Sequence, residues 1–219
     1  MSTPYELDHV FICVDVGAPE AELLVKFGLT EGSPNTHPGQ GTANRRFFFG
    51  NSMIELFYVT DTTEANSASV RRTGLLQRWQ RRRVDASPFG VCIRPGQASP
   101  GKPPFSAWAY QPSFFTAPVY LGTNCHRFKD PLLFYMPFGR KPNAREQPLE
   151  HEVGFQEITA LRIKGPSFGD GSSELKEMIQ TGFVEFVATE SAMMKIGFDG
   201  EKFGKSHEFS PTLPLTFCW

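Results

Sequence analysis

Along residues 5–15, YELDHVFICVD, polar and apolar positions divide cleanly between two faces of an extended chain. His9, Phe11 and Cys13 share one face, and Val10, Ile12 and Val14 share the other. A buried strand is predicted. Gly17-Ala18-Pro19 makes a turn with Pro19 suited to a first helical turn, and EAELLVKFG carries apolar residues at helical spacing until Gly28 stops it. The Gly/Pro/Asn-rich stretch 31–43 reads as a loop. NRRFFFG and SMIELFYV then read as a hairpin turning at Gly50-Asn51. On its second strand Met53, Glu55, Phe57 and Val59 share one face, opposite Ile54, Leu56 and Tyr58. Residues 1–61 thus form one βαβββ-like module, with one sheet face covered by the helix and the other free to curve around something.

Residues 62–150 elaborate on this module. SVRRTGLLQRWQRRR predicts an amphipathic helix, with Leu75, Leu76 and Trp79 inward and Arg71, Arg72, Arg78, Arg81, Arg82 and Arg83 on a positive face. FGVCIRP is a further strand, residues 105–138 read as an aromatic, proline-broken covering segment, and 139–150 read as a polar linker. After it the opening order returns in EITALRIKG, SSELKEMIQTG with Ser172 or Ser173 as N-cap, FVEFVAT, AMMKIGFDG and LPLTFCW. The prediction is an α+β fold of two tandem βαβββ-like modules forming a cupped mixed sheet. The second, degenerate module spans 151–219, and 62–150 is the inserted helix, strand and covering segment.

Charge adds exclusions. Lys plus Arg total 22 against 23 Asp plus Glu, so the basic helix is offset elsewhere and reads as a solvated face, not a nucleic-acid site. No apolar run approaches a membrane span and the N-terminus lacks a signal-peptide pattern, so a cytoplasmic protein without membrane partners is expected. Cys13, Cys92, Cys125 and Cys218 contain no CxxC pair and read as buried small hydrophobes. Phenylalanine is over-represented, with 21 copies, some suited to lining a cavity for a flat or apolar ligand.

The chemistry concentrates on His9 and Glu55, whose strand faces both point away from the aliphatic sets and so toward one cavity. A carboxylate among apolar neighbours needs a partner or a cation, and an imidazole beside it suits a divalent ion. A hydrogen-bonded pair without an ion is the plainer alternative. Phe11 and Phe57 share those faces as wall residues. Arg45 and Arg46 are adjacent on a strand, so one of them faces the cavity, where it would hold a substrate carboxylate or phosphate or pair with an acid.

LDHVFICVD together with MIELFYV resembles the vicinal-oxygen-chelate superfamily, and within it glyoxalase-like proteins with an extended middle segment. The similarity is clearest over residues 5–61, including GLTEGSPNTHPGQGTANRRFFFGN, and weaker over EITALRIKG and the helix after it. The resemblance implies a site inside a cup of paired βαβββ modules, with a divalent ion on His9 and Glu55. The second module departs from it: Ala160 lies opposite His9, and Leu215, or Thr216 after a slip, opposite Glu55. A third ligand is then expected from His151 or His126, while His37 and His207 read as turn or surface residues. The implied function is an enzyme acting on a small oxygenated metabolite, in which the ion polarises substrate oxygens and Glu55 or a nearby water moves a proton. The alternative is a metal-free small-molecule-binding protein that sequesters or senses its ligand. Either would act as a monomer or homodimer.

Overall fold

The computed structural model describes residues 3–166 and 171–219. Its larger sheet has eight strands: β1 (Tyr5–Cys13), β2 (Asn35–His37), β3 (Thr42–Phe48), β4 (Met53–Val59), β5 (Phe89–Pro95), β6 (Ala107–Tyr110), β7 (Val119–Gly122) and β8 (Leu132–Tyr135). They lie in the order β2-β3-β4-β1-β5-β8-β7-β6. β1 runs parallel to β4 and antiparallel to β5, and β5 runs parallel to β8. The sheet is therefore two equivalent halves joined along β1 and β5, curled into the cup expected of the glyoxalase fold. Between β1 and β2, α1 (Ala21–Phe27) ends at Gly28, whose φ of 109° needs a residue without a Cβ.

The second half of the cup is not where the sequence pattern set it. It comes from residues 89–135, inside the segment read as an insertion, and 151–219 does not pair with the first module. The physical reason is local. The second half has no helix after its first strand; the Pro/Gly-rich stretch 96–104 takes that place, so helical periodicity gives no sign of the repeat. The carboxy-terminal strands β9 (Ile158–Gly165), β10 (Val184–Ala188), β11 (Met193–Phe198), β12 (Ser206–Glu208) and β13 (Leu215–Cys218) form a separate sheet ordered β10-β9-β11-β13-β12. Here too two parallel pairs, β9 with β10 and β11 with β13, meet antiparallel along β9 and β11. The strand–helix–strand order that suggested a second module, through α4 (Ser173–Ile179) capped by Ser172, is real but builds a trimmed sheet of its own.

That sheet covers the convex side of the cup. Val10, Ile12, Ile54, Leu56, Val91 and Ile93 share one buried cluster with Leu161, Ile163, Met194, Ile196, Leu215 and Phe217. Phe198 stacks on Phe155 at 4.2 Å and meets Phe49 at 4.9 Å, and Phe27 of α1 reaches Phe209 at 5.4 Å and Phe217 at 5.8 Å. The Asn51 side chain works as a one-residue strand: its amide donates to the Ile158 carbonyl and its oxygen accepts from the Ile158 N–H.

The basic segment is broken. After the short α2 (Thr62–Ala65), a 3-10 turn over Arg71–Thr73 ends at Gly74, with φ 72°, and α3 (Leu75–Arg81) starts there. Arg78, read as part of a positive face, is fully buried and donates to the carbonyls of Ser87 and Asp130 at 2.8 and 2.7 Å. Burial lowers its guanidinium to about 10, so it stays charged at neutral pH and pins α3 across two loops. Arg81 pairs with Asp85, while Arg82 and Arg83 both pair with Asp15. Much of the positive charge is neutralised within the chain. All four cysteines are free, three of them buried, and no helix among the described residues is long and apolar enough to cross a membrane.

If the two sheets share one core, Phe198→Ala should cost about 3–5 kcal/mol. Thermal unfolding followed by near-UV and far-UV circular dichroism should remain a single coincident transition; separate transitions would show that the carboxy-terminal sheet melts by itself.

Candidate functional site

The floor of the cup is set by an irregularity in β1. Leu7 pairs with Ile93 but His9 pairs with Cys92, which leaves Asp8 as an extra, bulged residue. Strict alternation would put the Asp8 carboxylate on the convex, aliphatic face with Val10. The bulge re-aims it, and its Oδ1 accepts from His9 Nδ1 at 2.7 Å. Behind it, the buried Arg94 brings Nη1 to 3.5 Å from Asp8 Oδ2, donates to Glu6 at 2.9 Å and to the Asn51 carbonyl at 2.7 Å. Gly139 passes so close that a Cβ there would overlap the Asp8 carboxylate and crowd Arg94.

With Nδ1 committed to Asp8, His9 presents Nε2 to the cavity, 3.9 Å from Glu55 Oε2. That is beyond hydrogen-bond reach but well within electrostatic range. Burial lowers the His9 imidazole, yet Glu55 and the bonded Asp8 more than offset it, so its pKa stands above the ordinary histidine value. Phe134 of β8 meets the ring edge-on at 5.1 Å.

Alternation on β3 separates the two arginines. Arg46 lies directly opposite Glu55 in the β3–β4 register and lines the cavity, where its Nε donates to the Ser33 carbonyl at 2.8 Å. Arg45 points to the other side, into an ion cluster with Glu31 at 2.5 Å and Glu22 at 2.8 Å, so the expectation that it binds ligand is corrected. The third-ligand candidates also fall away. His151 is buried outside the cavity, accepting from the Thr30 N–H at Nδ1 and donating to the Phe48 carbonyl from Nε2, which fixes it as a neutral strut. His126 is exposed, its ring meets Phe128 at 6.3 Å, and it does not line the cavity.

The cavity encloses about 260 Å³. Phe11 and Phe57, read as wall residues, do line it, 5.1 Å apart with planes inclined by 31°. Phe11 lies over Gly90, where any Cβ would overlap the ring. At the mouth the β6–β7 loop sets Phe114 against His37 at 4.9 Å and Ser113 Oγ on the Pro38 carbonyl at 3.1 Å. His37, read as a turn residue, is part of the lining.

Most polar groups of the lining satisfy one another. His37 bonds Asn35 at 3.2 Å and Thr42 at 2.9 Å, Gln40 donates to Thr42 at 2.8 Å, and Tyr110 donates to Gln40 at 3.0 Å. Burial pushes the Tyr110 phenol up to about 12, and burial holds His37 below the ordinary histidine value, with Arg46 and His9 adding to that against the opposing Glu55. Three groups on the cavity surface keep unused capacity among the described residues: His9 Nε2, the Glu55 carboxylate and the Arg46 Nη atoms.

Two sets of donors can hold a metal ion. Asp8, His9 and Cys92 bring ligand atoms within 4.8 Å of one another. However, Asp8 already binds His9, and Cys92 is fully buried beneath the lining. Burial pushes the Cys92 thiol well above its ordinary value, with Asp8 and Glu55 adding to that, so an ion held there would first have to displace the thiol proton. The cavity-facing pair is better placed, since donors about 2.0–2.2 Å from one ion lie roughly 3–3.5 Å apart and the gap needs to close only slightly. Asp8 behind His9 supplies the carboxylate–histidine support that orients ligating imidazoles. Asp8, Arg94 and Cys92 were not singled out from the sequence. For Asp8 there was a signal: by alternation it is a charge on an aliphatic face, a conflict that a bulge resolves.

The sequence profile of a family described as a glyoxalase-like domain matches residues 7–117, 111 of the 219 in the chain. No curated protein matches. Among solved structures, a hypothetical protein from Staphylococcus aureus superposes with a TM-score of 0.54 at 9% identity, covering 97% of this chain and 98% of its own. A xylose isomerase-like TIM barrel/4-hydroxyphenylpyruvate dioxygenase fusion protein aligns at 0.47 and 12% identity over 90% of this chain and 37% of its own. A mutant 4-hydroxymandelate synthase from Streptomyces coelicolor aligns at 0.45 and 12% identity over 98% and 62%.

The imidazoles of His9, His37 and His151 should separate on titration. Followed by NMR in the presence of a chelator, His9 should titrate above the ordinary histidine value and His37 and His151 below it. The stability that His9 contributes is present below the ordinary value and is lost as pH rises through its raised one; His37 and His151 act with the opposite sign, losing their contribution as pH falls through their lowered values. Asp8→Asn should move the His9 titration down. A His9 that titrates lowest of the three would contradict the geometry.

Proposed function

The chain belongs to the glyoxalase-like domain family, and on that premise we propose that it is an enzyme acting on a small oxygenated compound held in the cup, with His9 and Glu55 as its working pair. One observation carries the reading: in a lining where most polar groups bond one another, the facing His9 Nε2 and Glu55 carboxylate, 3.9 Å apart, are without a hydrogen-bond partner among the described residues. Uncompensated polar groups in an apolar cavity cost stability, and a bound ligand or ion relieves that cost.

The roles follow from the contacts. Asp8 fixes the tautomer and orientation of His9, so that Nε2 and never Nδ1 meets the ligand. Glu55, 8% exposed among apolar neighbours, is placed to take a proton from a ligand C–H or O–H, and His9 to hold the oxygen on which charge develops or return the proton there. The donor set fits a divalent ion on His9 Nε2 and Glu55; when bound, such an ion supplies Lewis-acid polarisation of a ligand oxygen. The largely aromatic lining and the small number of ligands favour a second reading, a metal-free protein that binds its compound without transforming it.

Metal titrations monitored by thermal melting test the pair. At about a hundredfold excess over Kd, an ion that binds only the folded state adds about 2.7 kcal/mol, or roughly 5–10 °C for a chain of this size. Manganese, zinc or nickel should raise the wild-type midpoint by that order and leave His9→Ala and Glu55→Ala unmoved. If no ion shifts the wild type, the metal is removed from the proposal and the binding reading gains.

A further inference from the structure

Arg46 fixes the kind of molecule this cavity accepts. It is the only arginine or lysine on the cavity lining among the described residues. Its Nε is spent on the Ser33 carbonyl and its guanidinium lies 5.0 Å over the Phe48 ring, yet among the described residues no hydrogen bond or ion pair engages either Nη group. Burial depresses its pKa and the facing Glu55 partly restores it, but no ion pair forms between them within 4 Å. A half-buried guanidinium with two parallel donors free is matched by a planar, bidentate acceptor.

Charge and size narrow the class further. Glu55 and Asp8 bring two carboxylates to the same floor, so the local field tolerates one added negative charge far better than two. That selects a carboxylate over a phosphate dianion. About 260 Å³ leaves room for roughly ten to thirteen non-hydrogen atoms at about 20 Å³ each in a close-packed site. The remaining walls offer aromatic faces: Phe11 and Phe57 at 5.1 Å, Phe134 at 6.1 Å from Phe11, and Phe114 and Phe115 at the mouth. Such walls hold a flat ring by offset and edge contacts.

We propose that the cavity binds a compact aromatic monocarboxylate, with its carboxylate on the Arg46 Nη atoms and its ring among Phe11, Phe57 and Phe134. This rests on the reading of the cup as a small-molecule site, and deepens it by naming the ligand class. The Arg46 contact leaves the His9–Glu55 pair facing the atoms between ring and carboxylate.

The test is a set of calorimetric or ligand-observed NMR titrations with phenylacetate, its neutral isostere phenylacetamide, the ringless propanoate and the dianionic phenyl phosphate. Wild type should bind phenylacetate at least about tenfold more tightly than each of the other three, the order of effect of one charge-assisted bidentate contact or one buried ring. Arg46→Gln should bring phenylacetate and phenylacetamide to near equality, while Arg46→Lys keeps part of the preference. Melting curves of both variants establish that they are folded; if Arg46→Gln is not, the wild-type and Arg46→Lys ratios decide. Equal binding of acid and amide by wild type overturns the proposal, as does a preference for phenyl phosphate, an unchanged ratio in Arg46→Gln, or no binding of phenylacetate at 100 times about 0.1 mM. Running the same samples with and without manganese separates the two failures. A manganese-dependent melting shift without phenylacetate binding sinks the ligand class and spares the His9–Glu55 site, whereas phenylacetate binding without any metal response upholds the ligand class and removes only the metal.

Discussion

β1 has no face turned to solvent, and the placement of nearly every polar group at the centre of the molecule follows from that. It lies between β4 and β5, with Val10 and Ile12 against the second sheet and His9 and Phe11 on the floor of the cup. A charge on such a strand is tolerable only if other charges or donors meet it. Hence the chain of contacts behind His9: Asp8 to Arg94, Arg94 to Glu6 and to the Asn51 carbonyl. Asn51 also locks onto Ile158, so the network that steadies the imidazole is tied to the sheet that buries the convex face. The site's precision and the core's integrity are consequently coupled through one side chain of the β3–β4 turn.

Where alternation is strict, the sequence was readable. His9, Phe11, Glu55 and Phe57 fall on the cavity side because period-two patterning leaves the aliphatic residues no other face. The adjacent arginines behaved the same way: one of the pair had to face inward, and it is Arg46. What could not be read depended on an interruption of a period or on long-range pairing. The Asp8 bulge shifts one residue between faces, and only the conflict of a carboxylate on an aliphatic side hints at it. Gly74 splits a segment whose apolar spacing runs through the break, and Arg78 turns inward because carbonyls of two distant loops converge on it.

The mislocated second half of the cup has a similar origin. Strand–helix–strand order after residue 151 is a strong local signal, but it does not say which sheet the strands join. Residues 89–135 lack the helix and carry short, aromatic, proline-flanked strands, which locally resemble covering loops. Their assignment to the cup is a matter of pairing, β5 against β1 and β8 against β5, and cross-strand pairing leaves little trace in one sequence. The strands that face His9 across the cup are therefore β5 and β8, not β9 and β13, which carry Ala160 and Leu215. The residue opposite His9 is Cys92, and its neighbour on β8 is Phe134, so the second half of the floor supplies a buried thiol and a ring.

Four arginines near the cup illustrate how partners decide function for one residue type. Arg45 is neutralised by Glu22 and Glu31, Arg78 is caged by carbonyls, and Arg94 is bound into the support of His9. Each is engaged by the fold itself, although Arg78 Nε and Nη2 and Arg94 Nη1 are buried without a hydrogen bond. Arg46 spends only Nε, and beside it Glu55 and His9 Nε2 face one another at 3.9 Å without a hydrogen bond. Nothing in the folding of the sheet requires this concentration of unused capacity, since apolar residues at the same positions would extend the walls already formed by Phe11, Phe57 and Phe134 at lower desolvation cost. Other buried polar atoms also lack a hydrogen bond, among them Arg78 Nε, Asn44 Nδ2 and the Tyr135 hydroxyl, but these residues do not line the cavity. On the cup floor three charged groups converge with donors and acceptors unspent, and such departures from local consistency mark the sites where proteins act on ligands.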